Sequence, residues 1–193
     1  MIVVSTTAAL ILAGGKATRL GGIDRREIVV EGRTIFERQC EVLAPRVAEI
    51  IVSSPRPIAG FRTVVDAVPD AGPLAGIAAG LAAATTPWLL VVAGDMPHLT
   101  GALIDLVLGK IAPHIDAVGV RIGELPEPLL CALRTSCAPE VTRRIDAGQL
   151  KVSRLLTDSP FRVAWVEEPE LRTIDPALRC LRNINAPEDL GSP

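Results

Sequence analysis

The stretch "LILAGGKATRLGG" spans Leu10 to Gly22. Leu10, Ile11, Leu12 and Ala13 run straight into Gly14 and Gly15, then Lys16 and Arg19, then a second glycine pair. An apolar run that stops at consecutive glycines reads as a buried strand followed by a sharp turn. Glycine lets the backbone bend there and lets a ligand approach the N–H groups closely. Lys16 and Arg19 add positive charge where phosphates would lie. The two commoner phosphate loops do not match: Lys16 follows the first glycines directly, unlike GxxxxGK[ST], and GxGxxG is absent. Taken alone, the segment also fits a tight strand exit flanked by solvated cations.

Outward from that strand, similar short apolar runs recur at Ile50–Ser53, Thr63–Val65, Trp88–Ala93, Ala117–Val120 and Leu129–Leu133. Stretches with helical apolar spacing lie between several of them: Thr34–Leu43, Leu74–Ala84, Thr100–Ile111 and Ser136–Ala147. Continuously apolar strands alternating with helices predict a mostly parallel sheet covered on both faces, an α/β three-layer sandwich of the Rossmann-like kind. Pro and Gly gather at the joints, especially Pro55–Gly60 and Pro69–Gly76. None of the joints is long enough for a domain boundary, so residues 1–193 read as one domain.

The whole chain supports that reading. Its 193 residues suffice for one domain with a real core. About half are hydrophobic, yet none of the apolar runs reaches the ~18 residues of a membrane span. Met1–Ala13 lacks a basic leader and a small-residue cleavage site, so it is expected to be a buried first strand rather than a signal peptide. A net charge of −2 and 3% aromatics argue against a nucleic-acid surface. Cys40, Cys131, Cys137 and Cys180 lack CxxC spacing and sit in apolar surroundings, the pattern of core thiols in a cytoplasmic protein.

In such sheets ligands bind outside the carboxyl ends of the strands, where the winding direction reverses. Two loops besides the glycine loop occupy that position. "VVAGDMP" sets Asp95 just past a buried strand, where a carboxylate could hold Mg²⁺, a hard cation that bridges phosphates. The competing reading is a cap for the next helix, although Thr100 is the better candidate. "VVDAVPDAGPLAGI" sets Asp66 at another strand end, as an acceptor for a base or ribose or as a turn-forming Asp.

"LAGGKATRLGGID", "DAGPLAGIAAGL", "GDMP" and the late "NINAPEDL", in that order, resemble the molybdenum cofactor guanylyltransferases. These belong to the nucleotidyltransferases built on a sheet of the nucleotide-diphospho-sugar transferase type. The likeness runs from Leu12 to Leu190. It implies transfer of GMP from GTP to molybdenum-bearing molybdopterin, giving the guanine dinucleotide cofactor and pyrophosphate. It carries nucleotide contacts onto Leu12, Ala13, Gly14 and Gly15, guanosine contact onto Asp66, and Mg²⁺ onto Asp95. Asn183 and Asn185 match the family's C-terminal asparagines, near the pterin and the metal. Transient contacts with cofactor-delivering or client molybdoenzymes would accompany such a reaction.

Three positions depart from the family pattern. Arg25 stands where relatives carry a triphosphate-binding lysine, and Ser53 where they often carry an asparagine against the nucleotide. Glu127 replaces a histidine before proline. Arg25 keeps the charge, but its planar fork differs from a compact ammonium. With Lys16 and Arg19 it is expected to stabilise leaving pyrophosphate. A relative using CTP or a sugar phosphate, or a nucleotide-binding paralogue that no longer catalyses, remain open alternatives at this level.

Overall fold

Residues 6–13, 27–66 and 72–184 are described by the computed structural model. The first strand, β1 (Thr7–Leu12), is buried along its whole length and lies inside a seven-stranded sheet. With β4 (Ile50–Ser53), β5 (Arg62–Val64), β6 (Trp88–Ala93), β7 (Ala117–Ile122), β8 (Leu125–Arg134) and β9 (Val163–Val166), the order is β5-β4-β1-β6-β8-β7-β9. Strands β5, β4, β1 and β6 are mutually parallel, as are β7 and β9; β8 runs antiparallel to both its neighbours. A two-residue hairpin, β2 (Val29–Val30) with β3 (Arg33–Thr34), stands apart from the sheet.

Buried strands need cover on both faces, and two apolar clusters supply it. On one face α1 (Ile35–Leu43), α3 (Gly101–Gly109) and α6 (Glu168–Ile174) contribute Leu43, Leu103 and Leu171. On the other, α2 (Pro73–Ala83), α4 (Ala138–Asp146) and α5 (Val152–Thr157) contribute Leu74, Ile77, Val141 and Leu155. The helix starts follow local chemistry. Thr34 caps α1 in a reciprocal capping box with Glu37, Pro73 opens α2, and Thr100 caps α3 by accepting from the Leu103 amide.

Strand β8 begins four residues earlier than the apolar run Leu129–Leu133 predicts. Pro126 and Pro128 argue against a strand because proline cannot donate to the ladder. They are tolerated because the last β6 partner is Val92, opposite Leu130, so the first part of β8 pairs with β7 alone. The segment Ile122–Glu127, between the apolar runs Ala117–Val120 and Leu129–Leu133, is therefore a hairpin arm turning at Gly123 and Glu124, beyond the carboxyl end of β6.

Candidate functional site

From β1 the chain passes outward to β4 and β5, then returns to the other side of β1 as β6. The winding reverses at β1, and the carboxyl ends of β1, β4, β5 and β6 share one edge. Backbone hydrogen bonds tie three of these ends together. The Ala13 amide donates to the Ser53 carbonyl at 3.0 Å, and the Gly94 amide donates to the Leu12 carbonyl at 3.1 Å. A Cβ on Gly94 would lie 2.7 Å from the Leu12 carbonyl oxygen and 3.3 Å from the Ala13 Cα. Only a residue without a side chain permits that approach. Thus the chain entering the glycine loop abuts the residue preceding Asp95.

A second link runs from β4 to the end of β5. Ser53, 2% exposed, donates its hydroxyl to Asp66 Oδ1 at 2.9 Å, while Asp66 itself is exposed. Gly76, in the first turns of α2, packs over this pair: a Cβ there would meet Ser53 Oγ at 2.7 Å, Leu12 Cδ2 at 2.8 Å and Asp66 Oδ1 at 3.2 Å. The glycine in "GPLAGI" is thereby accounted for by close packing. Ser53 stands behind Asp66, leaving the carboxylate to face outward.

The loop after β6 is held from two further directions. Gln39 Nε2, on α1, donates to the carbonyls of Ala93 at 2.8 Å and Met96 at 3.2 Å; Arg38 Nε donates to the Pro97 carbonyl at 2.9 Å. From the far end of the chain, the Ile184 amide donates to the Asp95 carbonyl at 2.9 Å. Asp95 is 8% exposed. Exposed Asn183 precedes Ile184, so the first two residues of the C-terminal motif lie against the Asp95 loop.

Leu12, Ala13, Ser53, Asp66, Asp95 and Asn183 therefore belong to one connected rim. Gly14, Gly15, Lys16, Arg19, Arg25 and Asn185 lie outside the described residues. Glu127 sits half-buried on the β8 arm, and burial holds its carboxyl above the usual range. Gln39 is not among the residues that the sequence motifs point to. Its signal is a polar residue in the buried row Ile35, Gln39, Leu43, spaced by four on one helix face.

Among the described residues, His, Cys, Asp and Glu do not form a group of three or more suited to a metal. One carboxylate at the rim of such a sheet nonetheless fits Mg²⁺, which usually takes one or two protein carboxylates and completes its shell with phosphates and water. Asp95 is a donor of that kind. The thiols are not: burial pushes Cys131 and Cys180 up to about 12 and Cys40 and Cys137 up to about 11, which keeps them protonated.

Parallel strands whose winding reverses at β1, with Asp66 and Asp95 at the carboxyl ends on the reversing edge, make the site of a nucleotide-binding α/β sheet. Residues 9–163 match the family model for the MobA-like NTP transferase domain, and the chain belongs to that family. A molybdenum cofactor guanylyltransferase from Desulfosudis oleivorans is 29% identical, over 94% of this chain and 91% of the relative. Another from Serratia proteamaculans is 35% identical over 76% and 77%. The solved molybdopterin-guanine dinucleotide biosynthesis protein A of Archaeoglobus fulgidus is 25% identical. It superposes with a TM-score of 0.75, covering 95% of this chain and 94% of that one. Among the described residues, the helices include none long and apolar enough to cross a membrane.

Proposed function

We propose that this chain transfers GMP from GTP to the phosphate of molybdenum-bearing molybdopterin, releasing pyrophosphate and forming the guanine dinucleotide cofactor. The observation that carries the reading is the meeting of β1, β4, β6 and the Ile184 segment at one rim, in a chain of this family. The acceptor phosphate is itself a nucleophile, ionised at neutral pH, so no enzyme nucleophile is needed. The main obstacle is repulsion between two anions, which positioning and fixed positive charge reduce.

Backbone at Leu12–Gly15 receives the triphosphate, and Asp66, oriented by Ser53, accepts from the guanine edge. Lys16, Arg19 and Arg25 stabilise the negative charge that develops on departing pyrophosphate. Asp95 holds Mg²⁺, which when bound neutralises phosphate charge. Asn183 and Asn185 contact the acceptor beside the Asp95 loop. The reaction belongs in the cytoplasm, with transient contacts to proteins that deliver the acceptor or receive the product.

The test is incubation with GTP, Mg²⁺ and molybdenum-loaded molybdopterin, with mass detection of the dinucleotide and assay of pyrophosphate. Stoichiometric appearance of both supports the reading. Dinucleotide formation from CTP but not GTP, or from neither, overturns it.

A further inference from the structure

Gln39 is 1% exposed in the middle of α1, on the row otherwise filled by Ile35 and Leu43. Its Nε2 is used twice, on Ala93 and Met96, the carbonyls either side of Gly94 and Asp95. Its Oε1 is buried and, among the described residues, accepts no hydrogen bond. An amide buried with an idle acceptor is disfavoured against an apolar side chain of similar size, which would leave nothing unsatisfied. Packing alone would therefore favour methionine or leucine at this position. What Gln39 supplies instead is a clamp spanning both ends of the loop that carries Asp95.

The clamp also has an electrostatic sense. Helix α1 packs on the sheet face opposite α2, as Leu43 and Phe36 join the cluster with α3. The carbonyls of Ala93 and Met96 point into α1, with that of Pro97 following through Arg38. Carbonyl dipoles turned that way do not face an incoming anion. A loop so fixed spends no reorganisation at the moment of reaction, and displacements near 1 Å can cost ~10²-fold in rate.

We propose that Gln39 is a positioning residue for Asp95, fixing the loop through the two flanking carbonyls so that the carboxylate is preorganised for cation and phosphate. The proposal rests on the guanylyl-transfer reading for its kinetic consequences but not for its structural one. Gln39→Met keeps the length and removes both donors. We expect the variant to fold, with amide exchange over Gly94–Met96 faster by about tenfold in the absence of ligands. We expect kcat to fall by ~10–10²-fold and the Mg²⁺ half-saturation to rise by about tenfold, while the KM for GTP stays within about twofold. Should Gln39→Met not fold, Gln39→Asn, which keeps the amide but shortens its reach, makes the same test.

Unchanged kcat and Mg²⁺ dependence in a folded variant, with or without a lowered melting temperature, would leave Gln39 an ordinary core residue and overturn the proposal. If the wild-type protein makes no dinucleotide, the transfer reading fails separately. The exchange rates, and the shift in melting temperature that Mg²⁺ adds to GTP, then decide the Gln39 clamp. Slow exchange in the variant or an unaltered Mg²⁺ contribution contradicts it.

Discussion

The amide of Ile184 donates to the carbonyl of Asp95, joining residues 89 apart in sequence at 2.9 Å. The Gly94 amide, one residue away, donates to Leu12. The first strand, the β6 loop and the late segment are thus held through consecutive residues of one short loop. Rotating that loop would disturb all three, so the rim behaves as a unit rather than as separate pockets.

Gly94 is the tightest point of the arrangement. In Gly94→Ala the new methyl meets the Leu12 carbonyl and Ala13 Cα, backbone atoms that cannot swing aside as a side chain could. Overpacking of this kind costs about 1–3 kcal/mol, or roughly 2–12 °C in melting temperature at this chain length. We expect that loss together with weakened GTP binding, measured by thermal melts with and without nucleotide. An alanine variant with wild-type melting and binding would show that β1 and the β6 loop are not in contact.

Ser53→Ala removes the hydroxyl that orients Asp66 while barely changing volume. With Asp66 exposed to solvent, the effect should be modest, about 0.5–1.5 kcal/mol, appearing as a ~2–10-fold rise in the KM for GTP at little change in kcat. Steady-state kinetics in GTP checks this. A lowered kcat with unchanged KM would place Ser53 in the chemistry rather than behind Asp66.

The pH dependence of stability has a definite sign. Hydrogen bonds from the Arg162 side chain, then from its backbone amide, hold Asp116 down to about 2; those from Arg143 hold Glu140 down to about 2. A carboxyl depressed in the fold stabilises above its unfolded value near ~4 and loses that contribution as pH falls toward about 2. Arg143 and Arg162 are largely exposed, 57% and 62%, so solvent screens the effect and salt weakens it further. The melting temperature should drop between about pH 5 and pH 2, with a shallower slope in Asp116→Asn. Parallel slopes for variant and wild type would remove Asp116 from the account.

Much of this architecture is legible in the residues. The run into Gly14 marks β1, Trp88–Ala93 marks β6, and Thr34 and Thr100 announce the starts of α1 and α3. What escapes is short or contradictory locally. Strand β9 has four residues, of which Val166 alone is buried, and α5 and α6 span six and seven residues, too short to display a helical period. The arm of β8 is hidden by two prolines, acceptable only where the strand pairs on one side. At the rim, Asp66 and Asp95 can be picked out because carboxylates at strand ends are conspicuous. Gln39 escapes because its partners are carbonyls 54 and 57 residues away, which no local pattern encodes.

The central claim is that Asp95, seated where β1, β6 and the Ile184 segment meet, holds the cation that lets two phosphates approach. Asp95→Asn keeps the side-chain shape and removes its charge. Pyrophosphate release from GTP in the presence of Mg²⁺ and molybdenum-loaded molybdopterin should fall by at least ~10²–10³-fold, with the melting temperature near that of the wild type. Turnover at the wild-type rate by a folded Asp95→Asn protein would contradict the account.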